Sequence, residues 1–107
     1  MIEKHYNYTD SQEKVIEKII DDENLHLNHA ILPKGDRLPE HYSNSNVYLI
    51  IIRGEMTAQF NDQEAKKYNH HSFLNVPFNT KMNIINEGEE TLEFFIVKTP
   101  NPANYKK

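Results

Sequence analysis

Over most of the chain beyond residue 24, apolar and polar positions alternate with a period of two. That is the spacing of strands with one buried face. Leu25, Leu27 and Ile31 alternate with Asn24, His26, Asn28 and Ala30 before Pro33-Lys34-Gly35-Asp36 interrupts the run. Residues 47–52 are apolar on both faces and stop at Arg53-Gly54. A strand over 56–60 follows, then Asn61-Asp62-Gln63-Glu64 as a turn, then short strands over 73–77 and 81–85. Asn86-Glu87-Gly88-Glu89-Glu90 reads as a hairpin loop, and the segment 92–97 closes the set. Short strands at this spacing, joined by turn residues, predict an all-β sandwich or barrel.

The segment 9–23 carries two signals. Thr9 with Gln12, or Asp10 with Glu13, fits a capping box opening a short N-terminal helix. The apolar residues behind it, Val15, Ile16, Ile19 and Ile20, are all β-branched and favour a strand. A hairpin turning at 21–24 is therefore preferred over the helix.

Length and composition narrow the function. The 107 residues suit one domain, with a core over 24–99, an N-terminal extension over 1–23 and a short tail over 100–107. A net charge of −4 points away from nucleic acid and membrane surfaces, which favour basic patches. The absence of cysteine excludes disulfides, thiolate metal sites and cysteine nucleophiles. No leader-like apolar segment opens the sequence and no run approaches the ~20 apolar residues of a membrane helix, so a cytoplasmic location is expected.

Two of the three glycines bracket a histidine. Gly35, then His41-Tyr42-Ser43, then Val47 and Gly54 resemble the first motif of the cupin superfamily: glycine, five residues, His-x-His, three or four residues, glutamate, six residues, glycine. Pro77, Asn79, Met82 and Asn86 resemble the second motif, which runs proline, x, glycine, two residues, histidine, three residues, asparagine. The resemblance spans Gly35 to Asn86. It implies a small single-domain cupin: a double-stranded β-helix, or jelly-roll-like barrel. Family members of this size are commonly dimers, so the resemblance also implies a homodimer.

The departures from the family pattern bear on chemistry. Of the four metal-ligand positions only His41 keeps a ligand; Ser43, Val47 (or Tyr48) and Met82 stand at the others, and His71 and Asn79 replace motif-two glycines. A catalytic ion needs about three protein ligands, so no cofactor is expected. Were a metal bound, His41, His29 and Met82 would be its candidates, since His29 shares the parity of Leu27 and Ile31. A satisfied buried histidine is the simpler account of His29. His70-His71 reads as a turn.

If the parity of both motifs points inward, the barrel holds a mixed pocket. Val47, Leu49, Met82 and Ile84 form its walls, with His41, Ser43 and Asn86 as a polar rim. Side chains filling the barrel completely would be the alternative. The expected function is a degenerate cupin that binds a small organic ligand or serves a regulatory or assembly role. Two other readings are a small metal-dependent isomerase, decarboxylase or dioxygenase around His41, and a metal-independent isomerase or epimerase with His41 as base. On the opposite face, Tyr48, Ile50 and Ile52 call for a cover, either the N-terminal segment or a second subunit.

Overall fold

The computed structural model describes residues 2–104. Its strands are β1 (Val15–Asp21), β2 (His26–Leu32), β3 (His41–Tyr42), β4 (Val47–Arg53), β5 (Glu55–Phe60), β6 (Lys66–Asn69), β7 (Ser72–Val76), β8 (Lys81–Ile85) and β9 (Leu92–Lys98). A five-stranded sheet has the order β1-β2-β9-β4-β7, and a four-stranded sheet the order β3-β8-β5-β6. All pairings are antiparallel.

The alternation along β4 decides which face is inside. Val47, Leu49 and Ile51 are buried, whereas Tyr48, Ile50 and Ile52 turn outward. The opposing sheet contributes Met56, Ala58, Met82 and Ile84, and β9 contributes Leu92, Phe94 and Ile96. These side chains form one apolar core between the sheets. Burial of each large one contributes about 1.5–3 kcal/mol, so the interior carries most of the driving force for folding.

The N-terminal segment folds as the expected hairpin, and the extension supplies β1 as an edge strand. Asp22 closes the turn: its N–H donates to the Leu25 carbonyl (3.1 Å), and its Oδ1 accepts from the N–H groups of Asn24 and Leu25. The 86–90 segment is not a hairpin loop. It carries the chain from the four-stranded sheet to the five-stranded one, because β9 pairs with β2 and β4 and not with β8. The strand β6 had no counterpart in the apolar pattern, since Lys66 and Lys67 are exposed and Tyr68 is its only sizeable apolar residue.

Turn chemistry matches the backbone where it matters. Gly54 joins β4 to β5 at φ +78°, and a Cβ there would collide with the Thr91 carbonyl. His71 and Asn79, which occupy motif-two glycine positions, both adopt positive φ (72° and 63°). Both turns are thus left-handed at a non-glycine residue, and Asn is among the residues that tolerate this region best.

Candidate functional site

The two motifs meet at one end of the barrel. His41 and Met82 are register partners on β3 and β8, so their side chains share a sheet face. Met82 is buried in the core while His41 is exposed at the rim. The His41 Nδ1 lies 2.9 Å from the Pro39 carbonyl, which accepts only, so Nδ1 donates there.

Ser43 is 3% exposed and fully engaged. Its hydroxyl donates to the Pro77 carbonyl (2.6 Å) and accepts from the Thr80 N–H (2.8 Å). Its backbone also donates to the Thr80 carbonyl and accepts from the Asn79 N–H. The residue standing at the family's second histidine position thus pins the turn that carries Asn79.

The expected pocket walls are packed shut. Val47 and Leu49 are 0% exposed, Ile84 1% and Met82 2%, and all four belong to the core cluster. Asn86 does not join His41 and Ser43 on a rim. It stands four residues along the chain from Met82, about 13 Å at strand spacing, towards the other end of the barrel. There its amide donates to the carbonyls of Leu32 (2.8 Å) and Glu90 (2.9 Å) and accepts from the Gly88 N–H (2.9 Å). Asn86 clips the 86–90 crossing to β2.

His29 is also placed differently from expectation. Its neighbours Ala30 and Leu32 alternate into the core, and His29 faces the outer side of the five-stranded sheet. It cannot converge with His41 and Met82 on one ion. Both faces of β2 are buried, so alternation alone favoured neither. The ring is 0% exposed, with Nδ1 2.8 Å from Glu17 Oε2 and Nε2 2.5 Å from Glu93 Oε2. Glu93 Oε1 also faces Arg53 Nε at 3.2 Å, an ion pair whose geometry falls short of a hydrogen bond. The Tyr8 ring covers His29 at 4.7 Å and meets Phe95 edge-on at 5.1 Å. The Thr9 N–H and hydroxyl both donate to Glu17 (2.8 and 2.9 Å). The bond from Thr9 N–H, then that from His29, holds the Glu17 carboxyl below the usual carboxylate range.

The donor set at the barrel end does not fit the family's metal. Ser43 has spent its hydroxyl, Val47 has no donor, and Met82 offers only a soft thioether. Among the described residues no group of three or more His, Asp or Glu side chains is arranged to hold an ion.

Above this filled centre lies a cleft of about 210 Å³ lined by Phe60, Asn61, Gln63, Asn75, Val76, Pro77 and Thr80. Phe60 pairs with Met82, and Val76 pairs with Val47. The cleft therefore sits over the positions that carry metal ligands in the family. Sequence reasoning missed it, because its residues come from the ends of β5 and β7 and from two turns. Only the clustering of asparagines around Pro77 hinted at it.

No family model matches the sequence. The chain is 50% identical over 103 residues to the uncharacterized protein MJ0764 of Methanocaldococcus jannaschii, covering 95% of this chain and 89% of that one. The crystal structure of MJ0764, described as an RmlC-like cupin family protein with a double-stranded β-helix fold, superposes with a TM-score of 0.93 at 49% identity, covering 96% of this chain and 95% of that one. A cupin superfamily protein from Desulfitobacterium hafniense gives a TM-score of 0.72 at 14% identity, covering 87% of this chain and 83% of that one. A cupin domain from Bordetella pertussis gives 0.70 at 13%, covering 86% of this chain and 98% of that one. The last two share the fold alone. Half of its residues identical to MJ0764 over nearly the full length, and a two-sheet barrel matching that protein's, make the chain a member of the RmlC-like cupin family.

Proposed function

We propose that this cupin works without a tightly bound catalytic metal and binds a small, uncharged organic molecule in the cleft at the barrel end. The observation that carries this reading is the cleft's chemistry. Three carboxamides and a hydroxyl (Asn61, Gln63, Asn75 and Thr80) surround an apolar floor of Phe60, Val76 and Pro77, and among the described residues no ionisable side chain lines it. A few fixed polar groups over an apolar surface orient a neutral ligand with one apolar face, such as a small sugar or amide.

Several of these polar groups are held rigid yet keep spare capacity. Asn75 Nδ2 donates to Asn46 Oδ1 (3.0 Å) and the Val47 carbonyl (3.1 Å), which turns its Oδ1 away as an acceptor. Asn61 Oδ1 accepts from the Lys81 N–H (2.9 Å), which leaves its Nδ2 to donate. The volume lies below the ~300–1,000 Å³ of drug-sized pockets, so the ligand is fragment-sized.

The same reading includes a homodimer formed through the outer face of β4 and β7. Phe73 is 72% exposed there beside its register partner Ile50, with Tyr48 and Ile52 also exposed. The Tyr8 ring of the N-terminal segment packs on His29 and Phe95 of β2 and β9.

A panel of neutral sugars and amides, screened by protein-observed NMR against matched charged analogues, tests the ligand. Shifts confined to Asn61, Asn75 and Thr80, and abolished by Phe60→Ala, are expected. Near-stoichiometric Fe, Mn, Zn, Ni or Cu in protein purified without chelator would overturn the metal-free reading. Sedimentation of wild type against Phe73→Lys tests the dimer, and a wild-type monomer at micromolar concentration would refute it.

A further inference from the structure

The Glu17–His29–Glu93 cluster lies outside the site just described, and its proton count is unusual. A carboxylate accepts hydrogen bonds and cannot donate. Both His29 ring nitrogens face carboxylate oxygens, so completing both bonds needs a proton on each nitrogen. Charge gives the same answer independently. Two carboxylates meet one guanidinium, Arg53, and an imidazolium supplies the missing positive charge in a site where the ring has no access to water. The titratable and charged groups facing the ring are Glu17 from β1, Glu93 from β9 with Arg53 from β4 behind it, and the Tyr8 phenol from the segment above.

That segment, residues 8–12, crosses the outer face as a strap held through side-chain contacts. Tyr8 packs at a tilt against His29 and edge-on against Phe95, Thr9 bonds twice to Glu17, the Ser11 carbonyl accepts from Arg53 Nη2 (3.3 Å), and Gln12 Oε1 accepts from the Thr91 hydroxyl (3.3 Å). Most of these anchors belong to the cluster or touch it. We propose that the proton on His29 docks this N-terminal strap, and that losing it releases residues 8–12 from the sheet while the barrel stays folded.

Without the proton, one ring nitrogen turns a lone pair towards a carboxylate at hydrogen-bond distance, with the ring itself shut from water. The cluster then relaxes by opening its weakest wall. β2 and β9 are each paired on both sides, so they cannot give; the strap has no strand ladder and can. On the acid side the sign is opposite. The Glu17 carboxyl titrates lower folded than unfolded, so its contribution is present above the ordinary carboxylate range and is lost as pH falls through the lowered value. Docking of the strap is thus lost on the acid side as the Glu17 carboxyl takes up its proton. Release would bare Phe95 beside the exposed Tyr48 and Ile52.

Amide hydrogen exchange across pH, corrected for intrinsic base catalysis, reads the strap in the full chain. Nitrogen-15 spectra of the histidine rings read the proton. Two ring protons on His29 are expected wherever the strap is docked. Exchange at residues 8–12 should accelerate roughly tenfold to a hundredfold as the ring deprotonates, with β2 and β9 amides still protected. Glu17→Gln, which keeps an acceptor for Thr9 but removes the charge, should stay docked and flatten the pH profile, a result that simple packing of the strap would not give. A single ring proton on His29 while the strap is docked, strap exchange independent of pH, or loss of core protection in parallel would each overturn the proposal. Should the Glu17 variant fail to fold, the wild-type measurements still decide.

Discussion

The inside of the barrel and the outside of its five-stranded sheet have exchanged the characters that the family pattern assigns them. Where the pattern places histidines and a glutamate around an ion, this chain has Val47 and Met82 in a closed apolar core. Where a sheet's outer surface ordinarily meets water, it buries a histidine between two carboxylates. The inner region is stabilised by area, which is non-directional and tolerant of exchange among apolar residues. The outer cluster is stabilised by hydrogen bonds from His29 to two carboxylates and by the Arg53–Glu93 ion pair, and losing one member leaves the others uncompensated. Burial alone therefore does not identify a core: the rings of Phe94 and His29 are equally inaccessible and answer to different physics.

Three substitutions probe that contrast. The largest effect is expected at Phe94, which is 0% exposed in the close-packed interior. Phe94→Ala should lower the unfolding free energy by about 3–5 kcal/mol in urea titrations. A loss under about 1 kcal/mol would mean that the interior has slack, and the contrast would fail. Next is Glu93→Ala, which removes the carboxylate facing both His29 Nε2 and Arg53 Nε. It should cost about 3 kcal/mol, at the low end for a buried pair because Glu93 keeps 12% of its side chain exposed. Equal urea midpoints for that variant and wild type would show that the cluster is held by packing rather than charge. The smallest effect belongs to His41→Ala, since the exposed ring makes one bond to a neighbouring carbonyl. Its thermal midpoint should match wild type, corresponding to a change within about 0.5 kcal/mol.

Much of the fold was legible in the sequence because β4 states its two faces plainly. The positions of Gly35, His41, Gly54 and Pro77 then selected one barrel among the all-β architectures. The site was less legible, for identifiable reasons. Alternation assigns a face only when the other face is wet, and β2 is dry on both sides, so His29 was set on the wrong surface. The cluster joins residues separated by 12 and 64 positions, a juxtaposition that pairing register creates and local pattern does not. Asn86 carried the motif and the correct parity. Its distance from His41 along the barrel axis depends on where β8 begins, which residue type does not reveal. The strand β6 was invisible for a simpler reason, being polar on an edge.

One feature of the topology bears on how the chain is made. β9 is the last strand among the described residues, yet it lies between β2 and β4 in the larger sheet. Until β9 has left the ribosome, β2 and β4 each present an unpaired edge, and Leu49 and Ile51 lack Phe94 and Ile96. Nascent chains stalled before residue 92 would therefore be the aggregation-prone species, and their protection by a holding chaperone would end when β9 inserts.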